Sequence, residues 1–130
     1  MGKGRIKKVV GQINDEVVDR YELYDYRGRD VIQSMDLYIH IAKHRNEFQS
    51  IDSYNNTLSN IENIIAKPNF VYYEKQRNTL LYFKKIDENV CVVVRLELRA
   101  NKDCFIASIY PVSESKITRL KEQSYINNRE

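Results

Sequence analysis

Four segments in the second half of the chain carry side chains that alternate with a period of two, and this pattern constrains the fold more than any other feature. The segments are FVYYE, TLLYFKK, VCVVVRLEL and CFIASIY, at positions 70–74, 79–85, 90–98 and 104–110. Their β-branched and aromatic residues favour strands, and the connections KQRN, DEN and RANKD are short and polar, as in hairpins. The pattern predicts a four-stranded antiparallel meander.

Two stretches before Pro68 show helical periodicity instead. The first begins after Ser34, a predicted N-cap. Its expected core-facing residues are Met35, Tyr38, Ile39 and Ala42. The second helix is predicted for residues 53–66, and it ends there because the residue before a proline disfavours helix.

The two ends of the chain add shorter elements. Residues 4–13 mix β-branched and basic side chains and predict an edge strand with its lysines in water, and residues 14–30 form an acidic, tyrosine-rich connection. Pro111 ends the last strand, and residues 113–122 predict a basic terminal helix. We therefore expect an α+β fold, in which two N-terminal helices pack on the four-stranded antiparallel sheet and a short C-terminal helix follows.

Length and composition narrow the class of protein. With 130 residues, of which 42% are hydrophobic and 30% charged, we expect one soluble domain over residues 1–130. No apolar run approaches the roughly 20 residues of a membrane span, and the N-terminal segment lacks the apolar centre of a secretory signal, so a cytoplasmic location is expected. The net charge of +3 tolerates a polyanionic partner without requiring one.

The only two histidines, His40 and His44, are four positions apart. On a helix their Cβ atoms lie about 5–6 Å apart, a spacing that suits zinc. A zinc protease motif would place glutamate where this chain has Ile41, however, and no third histidine completes a site. Cys91 and Cys104 lie in strand-like runs without CxxC spacing and are expected to be buried free thiols, with a disulfide or ligand role as the alternative. The sequence predicts neither a metal nor another cofactor.

The histidine pair is suited to proton transfer without a metal. It lies almost opposite the predicted core stripe, flanked by apolar residues, so its face is expected to form a partly covered groove wall. Imidazoles, with an unperturbed pKa of about 6.5, serve as acid or base near neutral pH. Cleavage of RNA needs both, since the 2′-hydroxyl loses a proton and the 5′ oxygen gains one, while cationic or hydroxyl donors stabilise the phosphate. The spacing equally allows two solvated histidines.

Alternation along the strands predicts a polar surface on one face of the sheet. Arg95, the hydroxyl pair Ser108 and Tyr110, and Lys84 are expected to meet there, provided that the strand register allows it. Ile106 is predicted to share the face of the hydroxyl pair. The opposite face of that strand is assigned to Phe105, Ala107 and Ile109. Such a surface would bind phosphate and stack bases.

The order of these elements resembles a known nuclease superfamily. The segments that carry the resemblance lie within residues 31–122 and read VIQSMDLYIHIAKHR, NIENIIAKPNFVYYEKQRNTLLYFKK, VCVVVRLEL and CFIASIYPVSESKITRLKE. They are similar to the phage- and mobile-element-associated branch of the barnase, EndoU, colicin and RelE-like nucleases, in which a histidine-bearing helix precedes a second helix and an antiparallel sheet. Residues 1–30, an N-terminal strand and connecting segment, lie outside the resemblance.

The resemblance implies a metal-independent endoribonuclease. His40 and His44 match the helix histidines and are assigned acid–base catalysis, and Ser108 matches a hydroxyl residue of the last strand. Arg95 is expected to hold the phosphate, and Ser108 or Tyr110 to donate a hydrogen bond to it. Further residues expected to bind substrate are Lys84 and Lys116.

The partner implied by the resemblance is RNA and, for a toxin, an antitoxin or immunity protein. Two other classes stay open. One is a non-catalytic RNA- or protein-binding module of the same fold, and the other is a structural or regulatory protein of a mobile element. Proximity separates them, because catalysis requires the histidines close to Arg95, Ser108 and Tyr110.

Overall fold

The computed structural model describes residues 7–97 and 103–128, with side chains described as far as Ser124. Within these ranges the chain forms six strands and five α-helices. The strands are β1 (Lys7–Gln12), β2 (Asp30–Ser34), β3 (Phe70–Glu74), β4 (Thr79–Lys85), β5 (Asn89–Arg95) and β6 (Cys104–Pro111). The helices are α1 (Asp15–Tyr21), α2 (Asp36–Ile41), α3 (Ile51–Ser59), α4 (Ile61–Ala66) and α5 (Glu114–Asn128). Short 3₁₀ turns span Tyr24–Tyr26, Ala42–Glu47 and Lys75–Arg77.

The strands form one mixed sheet in the order β1-β2-β6-β5-β4-β3. The predicted antiparallel meander is confirmed for β3 to β6, and β3 and β4 have the predicted bounds. The prediction of a four-stranded, wholly antiparallel sheet is wrong in extent, because β1 and β2 add to it and β2 runs parallel to β6. β2 has a weak sequence signal, because one of its two buried positions holds the polar residue Gln33 and this hides the alternation.

Helices pack on both faces of the sheet. The larger core joins α1, α2, α3 and α4 to one face, and its fully buried residues include Val18, Ile41, Ile64 and Val92. The other face packs against α5. The buried residues of this smaller core are Leu81, Phe83, Cys91, Ile117 and Leu120. Since α5 is the one described helix in the smaller core, it covers only part of that face.

The first predicted helix differs from its pattern. α2 starts at Asp36 without a side-chain cap, and the chain continues after Ile41 as a 3₁₀ turn. Its buried residues are Leu37 and Ile41, whereas Ile39 is 74% exposed. The predicted core stripe is therefore wrong. A helix of six residues that tightens into a 3₁₀ turn does not keep the 100° spacing on which the stripe was based.

The other helices refine the expected boundaries. The second predicted helix is two helices, α3 and α4, separated at Asn60. α1 lies in the stretch expected to be a connection, and the Asn14 side chain accepts a hydrogen bond from the backbone N–H of Val17 at its start. The Ser113 hydroxyl accepts a hydrogen bond from the Lys116 N–H at the start of α5. None of the helices in the described part of the chain is long and apolar enough to cross a membrane.

β1 is an edge strand with exposed lysines, as predicted, although residues 4–6 of that prediction lie outside the described residues.

Candidate active site

An open cleft of about 740 Å³ lies on the α5 side of the sheet. Its apolar floor is built from β4, β5 and β6, and α2 and α5 form its sides. The polar residues that line it are Ser34, Asp36 and His40 near α2, Glu74, Arg77 and Thr79 near the β3–β4 connection, Arg95 on β5, Ser108 and Tyr110 on β6, and Lys116 and Arg119 on α5. The cleft thus gathers side chains from elements far apart in the sequence.

Five of the predicted site residues line this one cleft. They are His40, Arg95, Ser108, Tyr110 and Lys116. Because α2 packs on β6, His40 lies on the same side of the molecule as the sheet residues of the cleft. His40 thus faces the same cleft as Arg95, Ser108 and Tyr110 and is not remote from them.

His44 stands beside the cleft rather than in its lining. Its ring centroid is 5.7 Å from that of Tyr110 and 6.5 Å from that of His40. The Glu47 carboxylate oxygen Oε2 lies 2.6 Å from His44 Nδ1. A carboxylate at this distance fixes the orientation of the ring, and it leaves Nε2 as the nitrogen for another partner.

The prediction that Lys84 joins this surface is wrong. In β4, Lys84 pairs with Val90, a fully buried residue of the larger core, so its side chain belongs to the opposite face of the sheet. There Lys84 Nζ donates a hydrogen bond to the Lys67 carbonyl oxygen at 2.6 Å. Strand alternation identified which residues share a face, but not which face meets the cleft.

A β-bulge at Ala107 sets the orientation of β6. Val93 pairs with Ser108, but the next residue, Val94, pairs with Ile106, so Ala107 is the additional residue. Ile106 therefore belongs to the larger core, and Phe105 shares the cleft face with the hydroxyl residues. The prediction that Ile106 shares their face and Phe105 the other is wrong, because a bulge interrupts the period of two.

The cleft carries an excess of positive charge. Arg77, Arg95, Lys116 and Arg119 outnumber the two lining carboxylates, Asp36 and Glu74. Glu74 is close to only one of these cations, since its Oε1 lies 4.0 Å from Arg77 Nε. Arg95 is exposed and has no ion-pair partner among the described residues. A guanidinium in this situation is available to an anionic ligand.

Tyr110 links the cleft to its surroundings. Lys116 Nζ lies 5.6 Å from the centroid of its ring, and Cys91 is its cross-strand partner on β5. Burial, with a smaller contribution from Cys91, raises the pKa of the Tyr110 phenol. The group therefore stays protonated at neutral pH and is able to donate a hydrogen bond. Burial likewise raises the pKa of Cys91 to about 12, and both cysteines are buried and free, as predicted.

Two buried hydroxyl groups have no hydrogen-bond partner among the described residues, those of Ser108 and Tyr82. Ser108 lines the cleft, whereas Tyr82 is fully buried in the larger core. A buried hydroxyl without a partner costs folding free energy, and such groups concentrate at functional sites. Of the two orphaned hydroxyl groups, that of Ser108 is therefore the one that belongs to a cleft residue.

Sequence reasoning missed Arg77, Arg119, Glu74 and Phe105. Arg119 had a usable signal, because it follows Lys116 by three residues on a predicted basic helix and so shares its face. Arg77 lay in a hairpin connection, where no periodicity assigns a direction. No cluster of three or more His, Cys, Asp or Glu side chains suited to a metal ion occurs in the described ranges.

The fold and the cleft together define an α+β protein with a cationic, hydroxyl-lined site of the kind that suits a phosphodiester. The sequence matches the family described as phage-Barnase-EndoU-ColicinE5/D-RelE like nuclease 3 over residues 7–119, and the chain belongs to this nuclease family. The resemblance seen in the sequence is confirmed, and the match also includes β1 and α1, which the resemblance left out. No curated protein and no solved structure matches the chain significantly.

Proposed function

We propose that this nuclease is a metal-independent endoribonuclease. The observation that carries the proposal is that His40, the histidine of α2, lines one cleft with Arg95, Ser108 and Lys116. These residues are an imidazole for proton transfer, two cations for a phosphate and a hydroxyl without a partner. A non-catalytic binding module would need the cations but not the imidazole.

In the proposed reaction, the 2′-oxygen of RNA attacks the neighbouring phosphorus and the bond to the 5′-oxygen breaks. The 2′-hydroxyl gives its proton to one histidine, and the leaving oxygen takes a proton from the other, so the products are a 2′,3′-cyclic phosphate and a free 5′-hydroxyl. We assign the two transfers to His40 and to His44, which Glu47 orients. Arg95 and Lys116 neutralise the phosphate, and the hydroxyl groups of the cleft donate hydrogen bonds to it.

Incubation with RNA in the presence of a chelator tests this proposal. We expect purified protein in excess EDTA to cut single-stranded RNA and to leave 2′,3′-cyclic phosphate ends, which mass spectrometry of the fragments identifies. DNA of the same sequence is the matched substrate and is expected to stay intact, since it lacks the attacking hydroxyl. Cleavage that requires an added metal ion, or equal cleavage of the DNA, would contradict the mechanism.

Ser108→Ala and Tyr82→Phe form a matched pair of variants. Each removes a buried hydroxyl without a partner, so we expect each to raise the free energy of unfolding by about 1 kcal/mol. Only Ser108 lines the cleft, so only Ser108→Ala is expected to slow RNA cleavage, by about tenfold for a hydrogen bond to a charged group. Urea unfolding and initial cleavage rates measure the two effects. Equal activity of the two variants would remove Ser108 from the site.

A further inference from the structure

A second pocket, of about 440 Å³, lies where α1, β3 and α5 meet at the edge of the sheet. It is lined by three tyrosines, Tyr21, Tyr72 and Tyr73, and by two cations, Arg20 and Lys75. Aromatic rings and cations together form the usual binding site for single-stranded nucleic acid, because every base has a face that stacks and every linkage carries a charge. Neither the family match nor the cleft accounts for this pocket.

Hydrogen bonds hold the walls of the pocket in place without a ligand. The Tyr21 hydroxyl donates to the Val71 carbonyl oxygen at 2.7 Å, and it lies 3.0 Å from the Ser124 hydroxyl. The Tyr73 hydroxyl donates to Asn78 Oδ1 at 2.7 Å, and the two rings are 5.9 Å apart. Tyr21 and Tyr73 are therefore fixed structural walls. Because both hydroxyl groups already have hydrogen-bond partners, only the ring surfaces of these tyrosines are available to a ligand.

Lys75 and the hydroxyl of Tyr72 are the least engaged polar groups of the pocket, and one side of the Tyr72 ring packs against the smaller core. The Tyr72 hydroxyl has only a long contact of 3.5 Å, to Gln123 Oε1. Lys75 is exposed and has no ion pair with any described residue. Arg20, in contrast, already donates to the Ser124 hydroxyl at 3.2 Å and lies beside the Tyr21 ring. The one carboxylate of the lining is Glu22.

The pocket adjoins the cleft through one short turn. Lys75 and Arg77 belong to the same 3₁₀ turn, Lys75–Arg77, yet the first lines the pocket and the second lines the cleft. Along β3, Tyr72 pairs with Leu81 and Glu74 with Thr79, so Tyr72 and Glu74 point to the same face of the sheet. A strand of RNA that leaves the cleft past Arg77 thus meets a second cation and then an aromatic ring.

We propose that this pocket binds a nucleotide that flanks the one held in the cleft, with Lys75 on its phosphate and its base stacked on Tyr72. The inference rests on the proposed function and adds the substrate class, single-stranded RNA long enough to reach both sites. A paired strand does not fit this role, because its bases are stacked on each other and are not free to enter a pocket.

Binding of oligonucleotides of two lengths tests the subsite independently of catalysis. The probes are fluorescent 2′-O-methyl RNAs of about three and about twelve nucleotides, which lack the attacking hydroxyl and stay intact. By fluorescence anisotropy, we expect Lys75→Gln and Tyr72→Leu each to weaken binding of the long probe by at least about fivefold and to leave the short probe unchanged. Lys75→Gln is also expected to reduce the salt dependence of binding to the long probe.

Two variants serve as matched controls. Lys7→Gln removes an exposed lysine from β1, at the other edge of the sheet, and Tyr72→Phe keeps the ring. Both are expected to bind the long probe as the unmodified protein does. Equal weakening by Lys75→Gln and Lys7→Gln, or no difference between Tyr72→Leu and Tyr72→Phe, would overturn the subsite. Because Lys75 is exposed, its replacement tests the subsite even if Tyr72→Leu fails to fold.

The outcomes for the subsite and for the proposed function are distinguishable. If the long probe shows the Lys75 dependence but unmodified RNA is not cut, the nuclease mechanism fails and the subsite stands. If RNA is cut but the long and short probes bind with equal affinity, the mechanism stands and the subsite is overturned.

Discussion

Replacement of His40 by alanine is expected to lower the rate of RNA cleavage by about 10²–10⁴-fold, the usual contribution of a general acid or base. In the described part of the chain, His40 is the only histidine that lines the cleft. It extends from α2, and Arg95 and Ser108 line the same cleft. It is exposed and has no hydrogen bond to another described residue, so its loss is expected to leave the free energy of unfolding within about 0.5 kcal/mol. Single-turnover rates and urea unfolding measure the two quantities.

Ile39→Ala is the control for this variant. Ile39 neighbours His40 on the same helix, is 74% exposed and is not part of the cleft lining. We expect the Ile39→Ala variant to cleave RNA at the rate of the unmodified protein. If His40→Ala and Ile39→Ala cut equally fast in EDTA, the cleavage comes from a contaminant or from other residues, and His40 has no catalytic role.

The antiparallel part of the fold could be predicted from the sequence because its information is local. β3 and β4 are runs rich in β-branched and aromatic residues and are joined by a short polar connection, so their bounds were predicted to the residue. The pairing of β2 with β6 is parallel and joins residues more than 70 positions apart, and no local pattern records it. The sheet therefore contains one strand that no pattern predicted, β2, and through it the predicted edge strand β1 joins the sheet.

The site was predictable to the extent that it depends on neighbours along a strand. Ser108 and Tyr110 are two residues apart on β6 beyond the bulge, so their common face followed from the alternation. Lys84 was misplaced because the face that meets the cleft depends on how the strands pair and on where α5 packs, which are non-local facts. His40 was recognised by its residue type, since neither the predicted stripe nor the helix length was correct.

Arg95→Gln is expected to lower the rate of RNA cleavage by about 10²–10³-fold, the cost of losing one donor that stabilises developing charge. Arg95 pairs across the sheet with Thr79 and Phe105, and this pairing fixes its position in β5. Among the described residues it has no competing ion pair. The loss is expected to appear in kcat more than in KM, because the charge on the phosphate oxygens grows in the transition state. Arg95→Lys keeps the charge but not the paired donors, so partial recovery of the rate is expected.

Arg45→Gln is the matched control for Arg95, because Arg45 is an exposed arginine of the Ala42–Glu47 turn and does not line the cleft. Steady-state kinetics on one RNA at two salt concentrations separates a specific contact from general attraction. A general effect of net charge would lower kcat/KM equally in the two variants, more strongly at low salt, because exposed charges are screened as salt rises. A contact in the transition state would instead lower kcat only in Arg95→Gln, and it would persist at high salt. Equal losses in both variants would show that Arg95 is only one of several charges that attract RNA. Arg95 would then have no specific role in binding the phosphate.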